Sequence, residues 1–402
     1  MQVAVIGAAG NEGSGIIRDI LSKWSESVDN ILAIDRNFEK LENLRLAIDD
    51  ARVVTKVVDA TNKKALVEAL KGVQACINAA NYTVNINVMT ACLETRTPYL
   101  DLGGMYYTTL EQKKLHEKFI KKGVPAVLGM GSAPGCTNIL VKYAADKLDT
   151  VEKVNLYDAS KVLGPESPLF IPPYSIKTLL REFSAESIQY ISGEFRMIPA
   201  GSGKEVVEFP EPLGKVECVY TLHSEIATLP FSLKGKGVKE VTWKLGLPDN
   251  IKRVVVSLVA CGFGVIKELR MKSIIINPED LLEALIQKNI QEKLDIHSSK
   301  TIEESQSYEI IRARVVGKEK NNQVIYTMDL IQEPQKDYRG INDPITAIPA
   351  SIVAEMLARG EIPPGAWAPE ECIDAVKCLI EMKKRKFKIN IIREESLNFY
   401  QF

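Results

Sequence analysis

The sequence predicts an α/β fold in which an N-terminal doubly wound parallel sheet is followed by a second, α+β domain with a mixed sheet. Three observations support this prediction: the length of 402 residues, a regular strand–helix alternation in the first third, and the loss of that alternation after residue 130. A chain of this length exceeds what a single hydrophobic core usually holds, so at least two domains are expected.

In the first third, short apolar runs rich in β-branched residues alternate with segments of helical character. The predicted strands are residues 3–6, 31–34, 53–58, 75–79, 99–102 and 126–128. The predicted helices are residues 14–24, 63–70, 85–94 and 110–121. Such continuous apolar runs are typical of strands buried on both faces, and their alternation with helices predicts parallel βαβ units. Right-handed crossovers then give a doubly wound sheet of about six strands.

The second part of the chain begins at a Gly/Pro-rich joint, GMGSAPGCTN at residues 129–138, where a helix over 136–148 follows. Strands are predicted at 154–157, 195–198, 205–208, 216–222 and 239–245. A hairpin is predicted from 309–316 and 323–330. Further helices are predicted at 174–183, from Pro278, over 346–359 and from Pro369. Parallel pairing alone does not fit this order, which favours a mixed sheet. We therefore divide the chain into residues 1–130, 131–345 and 346–402.

Composition excludes several classes of function. Lys plus Arg number 51 and Asp plus Glu number 52, so the overall charge favours neither nucleic acid nor a membrane surface as partner. The residues before the first strand do not have the pattern of a signal peptide, so none is predicted. No run reaches the ~18 apolar residues of a membrane span, and a cytoplasmic protein is expected. Seven cysteines without a Cys-x-x-Cys pair and three scattered histidines (His116, His223, His297) predict no metal site.

A glycine-rich turn, GAAGNEG at residues 7–13, links the first strand to the first helix. Glycines allow the backbone to approach a pyrophosphate closely, and the following helix offers free N–H groups and the positive end of its dipole. The strand–turn–helix context predicts a Rossmann domain that binds a dinucleotide. A turn with a purely structural role is the alternative.

The choice between NAD and NADP rests on the end of the second strand. Asp35 lies 22 residues beyond Gly13, where a carboxylate can accept hydrogen bonds from the ribose hydroxyls. The neighbouring Arg36 favours a 2′-phosphate instead, so NAD is expected and NADP stays possible. The ends of the third and fourth strands should approach the adenine and the nicotinamide ribose. The residues predicted to bind the cofactor are Gly7, Ala9, Gly10, Asn11, Glu12, Gly13, Asp35, Arg36, Asp59, Ala60, Ala79, Ala80 and Asn81.

Several further motifs recur in a distinctive order. They are YLDLGG at residues 99–104, GSAPGCTN at 131–138, LHSEIATLP at 222–230, IPASIVAEMLARG at 348–360 and WAPE at 367–370. In this order and spacing they resemble the saccharopine dehydrogenase-like family over nearly the whole chain, with the lysine 6-dehydrogenases as the nearest branch. One departure is the glycine turn, which has one residue more before its last glycine than the family's usual G-x-G-x-x-G.

The resemblance implies a Rossmann domain, a mixed-sheet domain for substrate binding and dimerisation, and a C-terminal segment that packs back near the first domain. It also implies a homodimer that transfers hydride at a carbon bearing an amine, with an amino acid or amine as substrate. L-Lysine 6-dehydrogenase is the first hypothesis. A saccharopine reductase or carboxynorspermidine dehydrogenase-type reductase is the second, and a non-catalytic NAD(P)-binding regulator is the third.

Amine oxidation requires a neutral amine, hence a base or a desolvating pocket, and a substrate carboxylate favours a Lys or Arg partner. Asp101 is a candidate base, or a brace for the turn after its strand. His223 with Glu225 is a candidate proton shuttle, or a structural interdomain pair. The predicted catalytic residues are Asp101, Tyr106, His223 and Glu225; the predicted substrate-binding residues are Tyr107, Asn138, Lys177 and Arg181. For Asn138 the alternative is that it caps a helix. Lys177 and Arg181 lie on one helix face, at i and i+4, and their alternative is that they face water.

Overall fold

The first sheet is parallel throughout and has seven strands. The structure is a computed structural model that describes residues 1–25, 28–103, 105–163, 170–296, 306–338 and 340–396. The sheet contains β1 (Gln2–Ile6), β2 (Asn30–Asp35), β3 (Val53–Val57), β4 (Ala75–Asn78), β5 (Tyr99–Asp101), β6 (Pro125–Val127) and β17 (Gly365–Trp367). The spatial order is β17-β6-β5-β4-β1-β2-β3. This is the predicted doubly wound Rossmann arrangement.

Helices cover both faces of this sheet and bury its apolar strands. They are α1 (Asn11–Ile20), α2 (Phe38–Ile48), α3 (Lys63–Leu70), α4 (Asn85–Thr95), α5 (Tyr106–Lys113) and α6 (His116–Lys122). The strand order reverses direction between β1 and β4, which pair in parallel with Ile6 opposite Asn78. The crevice above such a reversal is where open α/β sheets bind ligands.

The second sheet is mixed, as predicted. Its strands are β7 (Thr150–Leu163), β8 (Ser187–Ile191), β9 (Glu194–Ile198), β10 (Glu205–Glu208), β11 (Lys215–Tyr220), β12 (Glu240–Gly246), β15 (Gln306–Glu319), β16 (Asn322–Gln332) and β18 (Lys388–Ser396). The main path runs β10-β11-β12-β7-β15-β16-β18, and β12 and β7 are its parallel pair. The predicted hairpin is confirmed: β15 and β16 pair around Lys320 and Asn321, both with positive φ.

The remaining α-helices and one short hairpin lie outside these two sheets. They are α7 (Cys136–Ala145), α8 (Ile176–Ser184), α9 (Leu229–Ser232), α10 (Asp249–Ala260), the hairpin β13 (Leu269–Met271) and β14 (Ile274–Ile276), α11 (Pro278–Ile296), α12 (Pro344–Ala358), α13 (Pro369–Cys372) and α14 (Ala375–Lys384). Helix α12 is buried along almost its full length and packs on α1. One apolar core therefore runs from the first sheet through α12 and α7 to the second sheet.

Several details of the first domain differ from the sequence-based prediction. Helix α2 was not predicted, and α1 is Asn11–Ile20 where residues 14–24 were predicted. The single helix expected over 110–121 is two helices, α5 and α6, because the chain turns at Lys114 and Leu115 between them. The seventh strand, β17, comes from the C-terminal segment and pairs with β6. Three residues carry too little periodicity to be recognised as a strand, and tertiary contacts supply the pairing.

The C-terminal segment contributes to both sheets, because β17 extends the first and β18 pairs with β16 in the second. The division of the chain at residues 130 and 345 therefore stays a prediction about units of folding. Within the part of the chain that the structure describes, no helix combines the length and apolar character needed to cross a bilayer.

Candidate functional site

A single cleft of about 2560 Å³ lies between the two sheets and holds most of the predicted site. At one end it is bordered by the glycine turn after β1. At the other it is bordered by side chains of the second sheet and of α8, among them Asp158, Glu182 and His223. A dinucleotide and a small substrate can therefore occupy one continuous space.

The glycine turn is shaped by close backbone approaches that a side chain would prevent. A Cβ placed on Gly13 would lie 2.2 Å from the carbonyl oxygen of Gly7, and one on Gly7 would lie 2.8 Å from the nitrogen of Ala80. Gly10 is the N-cap of α1, and no described side chain caps its first turn. The first N–H groups of α1 are thus left available to an anion, which fits the pyrophosphate of a dinucleotide.

The carboxylate at the end of β2 is fixed against this turn. One oxygen of Asp35 accepts a hydrogen bond from the backbone nitrogen of Ala9 at 3.1 Å, and the other from that of Asn37 at 3.0 Å. Arg36 is exposed at the same edge of the cleft. Of the other predicted cofactor residues, Asp59, Ala60, Ala79, Ala80 and Asn81 also line the cleft. The structure therefore brings these residues together, and their contacts with the cofactor stay a prediction.

Glu12 is an acidic residue in the first turn of α1, where a pyrophosphate would lie. Burial and then the neighbouring carboxyl group of Asp343 raise the pKa of Glu12 well above its usual range. Its Oε2 atom is buried without a hydrogen-bond partner among the described residues. A protonated Glu12 carries no charge, so it does not repel an anion bound at the helix N-terminus.

The opposite wall of the cleft is acidic, and strand geometry explains why. Side chains two apart on a strand share a face, and on β7 this face changes from Val154 and Leu156 in the core to Asp158 at the cleft. On β15 the same face carries Ile311 in the core and Glu309 towards the cleft. The core of the second sheet ends where these acids begin.

A third acid comes from α8, whose buried face also carries Leu179 and Phe183. Glu182 is 2% exposed, borders the cleft and accepts a hydrogen bond from the hydroxyl of Tyr174 at 2.5 Å. Burial raises the pKa of Glu182 to about 7 and the pKa of Asp158 to about 8. Burial also raises the pKa of Glu309 well above its usual range, with the charge of Asp158 adding to the effect.

His223 lies among these acids and is held on two sides. Its ring stacks on Trp243, with centroids 4.1 Å apart and planes 16° apart, and its Nδ1 is hydrogen-bonded to Glu225. Burial on its own lowers the pKa of the imidazole, but the nearby carboxylates, Glu225 foremost, raise it above the ordinary value. With Nδ1 engaged, Nε2 is the atom available to exchange a proton with a substrate.

Asp101 lies apart from this group. It is 1% exposed and accepts hydrogen bonds from the Tyr99 hydroxyl at 2.8 Å, from the nitrogens of Gly103 and Gly129 at 2.9 and 2.8 Å, and from Gln112. Burial raises the pKa of Asp101, and these bonds oppose that effect. The geometry favours the turn-bracing role over that of a catalytic base.

The other predicted residues divide between the cleft and its surroundings. Lys177 lines the cleft and is paired with Asp280 at 2.6 Å and Glu283 at 2.8 Å. Asn138 is 1% exposed and accepts a hydrogen bond from the nitrogen of Gly135, the cap of α7, at 3.0 Å. This contact favours the capping role.

Tyr106, Tyr107 and Arg181 do not border the cleft among its described lining residues. Tyr106 is 8% exposed and packs edge-on against Tyr107, which is 53% exposed. Arg181 lies one helical turn beyond Lys177 on α8, close enough to Tyr82 for its charge to lower the pKa of that phenol, although burial raises this pKa overall.

Sequence reasoning missed the acidic wall, because Asp158, Glu182 and Glu309 belong to no contiguous motif. A signal existed in the pattern. Asp158 and Glu309 occupy inward positions of strands whose neighbours at i±2 are apolar, and Glu182 lies on the apolar face of α8. An acid at such a position is rare in a core and indicates a functional or paired site.

Comparisons with known proteins fit this geometry. A family model described as the saccharopine dehydrogenase NADP binding domain matches residues 3–127, and one described as the saccharopine dehydrogenase C-terminal domain matches residues 131–387. Together they span nearly the whole chain. The dinucleotide for which the first domain is built is thus NAD(P).

Curated relatives are more distant. The carboxynorspermidine synthases of Vibrio alginolyticus and Vibrio cholerae are 24% and 25% identical over 228 residues, 54% of this chain and 54% and 52% of theirs. The carboxyaminopropylagmatine dehydrogenase of Synechocystis sp. is 24% identical over 237 residues, 57% of this chain and 58% of that protein. The matches thus span little more than half the length of these relatives.

Two solved structures share the whole fold. An apo saccharopine dehydrogenase (L-Glu forming) from Saccharomyces cerevisiae matches 98% of this chain and 100% of its own, with a TM-score of 0.67 at 13% identity. A homospermidine synthase from Legionella pneumophila, in complex with NAD, matches 98% and 91%, with a TM-score of 0.68 at 12% identity. At this identity they establish the architecture.

Proposed function

We propose, given that the chain belongs to the saccharopine dehydrogenase family, that it is an NAD(P)-dependent oxidoreductase that reduces an imine formed between an aldehyde and an amine. The observation that carries the proposal is the acidic wall of the cleft beside His223, formed by Asp158, Glu182 and Glu309. A substrate with two or more ammonium groups complements this wall, so the amine partner is a linear diamine or polyamine.

The curated relatives support a polyamine-type reductase over a saccharopine-type reductase and over a lysine 6-dehydrogenase. Their names denote carboxyl-bearing derivatives of norspermidine and agmatine, which are polyamine-type products. Lys177, the predicted carboxylate anchor in the cleft, is already paired with Asp280 and Glu283. A saccharopine-type substrate has two further carboxylates, which would have to be held by other cations of the lining, such as Lys161, Lys215 or Arg253. L-Lysine 6-dehydrogenase, the first hypothesis from sequence, has less support than the aldehyde–amine reductase.

The reaction joins the two substrates in two balanced steps. The amine nitrogen adds to the aldehyde carbon, and loss of water leaves a C=N bond. The C=N group that forms is protonated on nitrogen. NAD(P)H, when bound, supplies the hydride that reduces its carbon, and the nitrogen keeps that proton to become a secondary amine. The first step needs a proton delivered to the departing hydroxyl group, and we assign that proton to Nε2 of His223.

The acids have a separate role in this scheme. A carboxylate within reach of a bound ammonium group holds it by a charge-assisted hydrogen bond. Glu182, with its raised pKa of about 7, and Asp158, at about 8, are ionised in mildly alkaline solution. There they can bind the far ammonium group of a diamine, while the reacting amine loses its proton to the surroundings.

The test is a substrate panel with the purified protein. Oxidation of NADPH and NADH is followed with an amino-acid aldehyde in the presence of propane-1,3-diamine, putrescine or agmatine. We expect cofactor oxidation only when aldehyde and amine are both present, and a secondary amine of the summed mass less water plus two hydrogens.

Matched reactions identify the competing functions. Lysine with 2-oxoglutarate and reduced cofactor tests the saccharopine-type reaction, and lysine alone with oxidised cofactor tests lysine oxidation. Turnover only in the saccharopine-type reaction or only in lysine oxidation would contradict the proposal. So would the absence of turnover with every substrate tested while the cofactor still binds. The His223→Gln variant should bind cofactor as the parent protein does and lose about 100-fold or more in kcat.

A further inference from the structure

Behind His223 a chain of buried hydrogen bonds links three segments that are distant in sequence. Glu225 is 0% exposed; one of its carboxylate oxygens is bonded to Nδ1 of His223 and the other accepts a hydrogen bond from the hydroxyl of Thr137 at 2.9 Å. Thr137, also 0% exposed, lies in the first turn of α7, at the end of the Gly/Pro-rich joint. The imidazole in the cleft is therefore tied to the joint through a single carboxylate.

The Thr137 hydroxyl has two acceptors within reach and one proton. Besides Glu225 it lies 3.1 Å from Oδ1 of Asn138. That oxygen already accepts the nitrogen of Gly135 at 3.0 Å, and the Asn138 amide nitrogen donates to Glu370 at 2.7 Å. An ionised carboxylate is the stronger acceptor, so the hydroxyl donates to Glu225.

We propose that Thr137 is a positioning residue for His223: by donating to the inner oxygen of Glu225, it fixes the carboxylate so that the imidazole keeps its proton on Nδ1 and presents Nε2 to the substrate. This inference rests on the proposed acid–base role of His223. The imidazolium gives up its Nε2 proton to the departing hydroxyl group, and the neutral ring that remains must carry its proton on Nδ1 to accept the next one at Nε2. The orientation of Glu225 therefore decides whether the ring can be protonated again at Nε2.

The surroundings leave the imidazole little freedom to correct a wrong tautomer by turning over. The ring is stacked on Trp243. Trp243 is itself fixed, since its Nε1 donates to Thr221 at 2.9 Å and its backbone nitrogen donates to Gln189 at 2.8 Å. The proton position is therefore set mainly by what faces Nδ1, which is Glu225.

The experiment compares Thr137→Val, which keeps the shape and removes the hydroxyl, with Thr137→Ser, which keeps the hydroxyl. Thr97→Val is the matched control, because Thr97 is 1% exposed and its hydroxyl donates to a backbone carbonyl remote from the cleft. Two readouts are taken: kcat and KM with the substrates of the proposed reaction, and ¹⁵N NMR of the histidine side chains in the cofactor-bound protein. With three histidines in the chain, the ring signals can be assigned by substitution.

We expect neutral His223 in the parent protein to be protonated at Nδ1. Thr137→Val should lower kcat about tenfold with little change in KM, and its NMR signals should show a mixture of the two tautomers. Thr137→Ser should restore both, and Thr97→Val should change neither. The proposal would be overturned if Thr137→Val had the kcat and the His223 tautomer of the parent protein. It would also be overturned if Thr137→Ser did not restore the parent kcat and tautomer.

A second variant keeps the test decisive where Thr137→Val does not fold. In Glu225→Gln, the Thr137 hydroxyl should select the amide oxygen, so that the amide nitrogen faces Nδ1 and forces the proton of His223 to Nε2. A His223 that stays protonated at Nδ1 in this variant would contradict the inference. Because NMR needs no turnover, this result does not depend on the identity of the substrate. Failure of the substrate panel contradicts the proposed function, and an unchanged tautomer contradicts the role of Thr137.

Discussion

The two ends of the cleft are built in opposite ways. At the cofactor end, one contiguous turn of residues 7–13 supplies backbone N–H groups and steric space, and its geometry is set by glycines. At the substrate end, β7, α8 and β15 each supply one acid, and the loop after β11 supplies His223. The cofactor end depends on local backbone conformation. The substrate end depends on carboxyl groups whose pKa values are raised by burial. Substitutions at the two ends should therefore change different measured quantities: cofactor affinity at the cofactor end, and the KM for the amine and its pH dependence at the substrate end.

The largest effect is expected from Gly13→Ala at the cofactor end. The added Cβ would lie 2.2 Å from the Gly7 carbonyl oxygen, so the start of α1 must move. Its N–H groups would then no longer point towards the pyrophosphate. We expect a loss of roughly 100-fold in affinity for NADPH and NADH, measured by fluorescence titration.

Gly235→Ala is the control for that substitution, since its Cβ would meet no described atom within 4 Å. It should bind the cofactor as the parent protein does. Equal affinity of Gly13→Ala and parent protein would show that the turn does not hold the dinucleotide.

A smaller, pH-dependent effect is expected from Glu182→Gln at the substrate end. Burial raises the pKa of Glu182 to about 7, so the carboxyl group is neutral below that pH and charged above it. The KM for the diamine should therefore fall as the pH rises through about 7. In Glu182→Gln it should be about tenfold higher than in the parent protein above pH 7 and lack that part of the pH dependence.

Glu186→Gln removes an exposed carboxylate from the same stretch of chain and should leave the diamine KM and its pH profile unchanged. Cofactor affinity should be parent-like in both variants, which separates this end of the cleft from the other. A parallel loss of diamine and cofactor affinity in Glu182→Gln would mean that the two ends are not independent.

The smallest effect is expected from Arg36→Ala. Arg36 is exposed beside Asp35, where the 2′-position of the adenosine ribose would lie, and an exposed ion pair contributes little. We expect the affinity for NADPH to fall about fivefold and that for NADH to stay within about twofold, by the same titration. Arg45→Ala, on the outer face of α2, is the control; an equal loss for both cofactors in Arg36→Ala would contradict a phosphate contact.

Local patterns in the sequence were sufficient for strands β1 to β6 of the first sheet and for the glycine turn. The strands β1 to β6 are short apolar runs, and helix α3 has the predicted bounds, because burial on both faces leaves a signal in consecutive residues. The paired roles of His223 and Glu225 were also suggested by adjacency, since a side chain two residues away can reach the ring. Their catalytic role stays a prediction.

What the sequence alone determined is therefore whatever depends on neighbours along the chain: the parallel sheet, the glycine turn with its carboxylate at Asp35, the mixed second sheet and the family. Only the tertiary structure decided that Asp158, Glu182 and Glu309 share one cleft, that Thr137 reaches Glu225, and that β17 completes the first sheet. The physical reason is that burial and the distance between charges, which set the pKa values of these acids, arise from contacts between segments far apart in sequence.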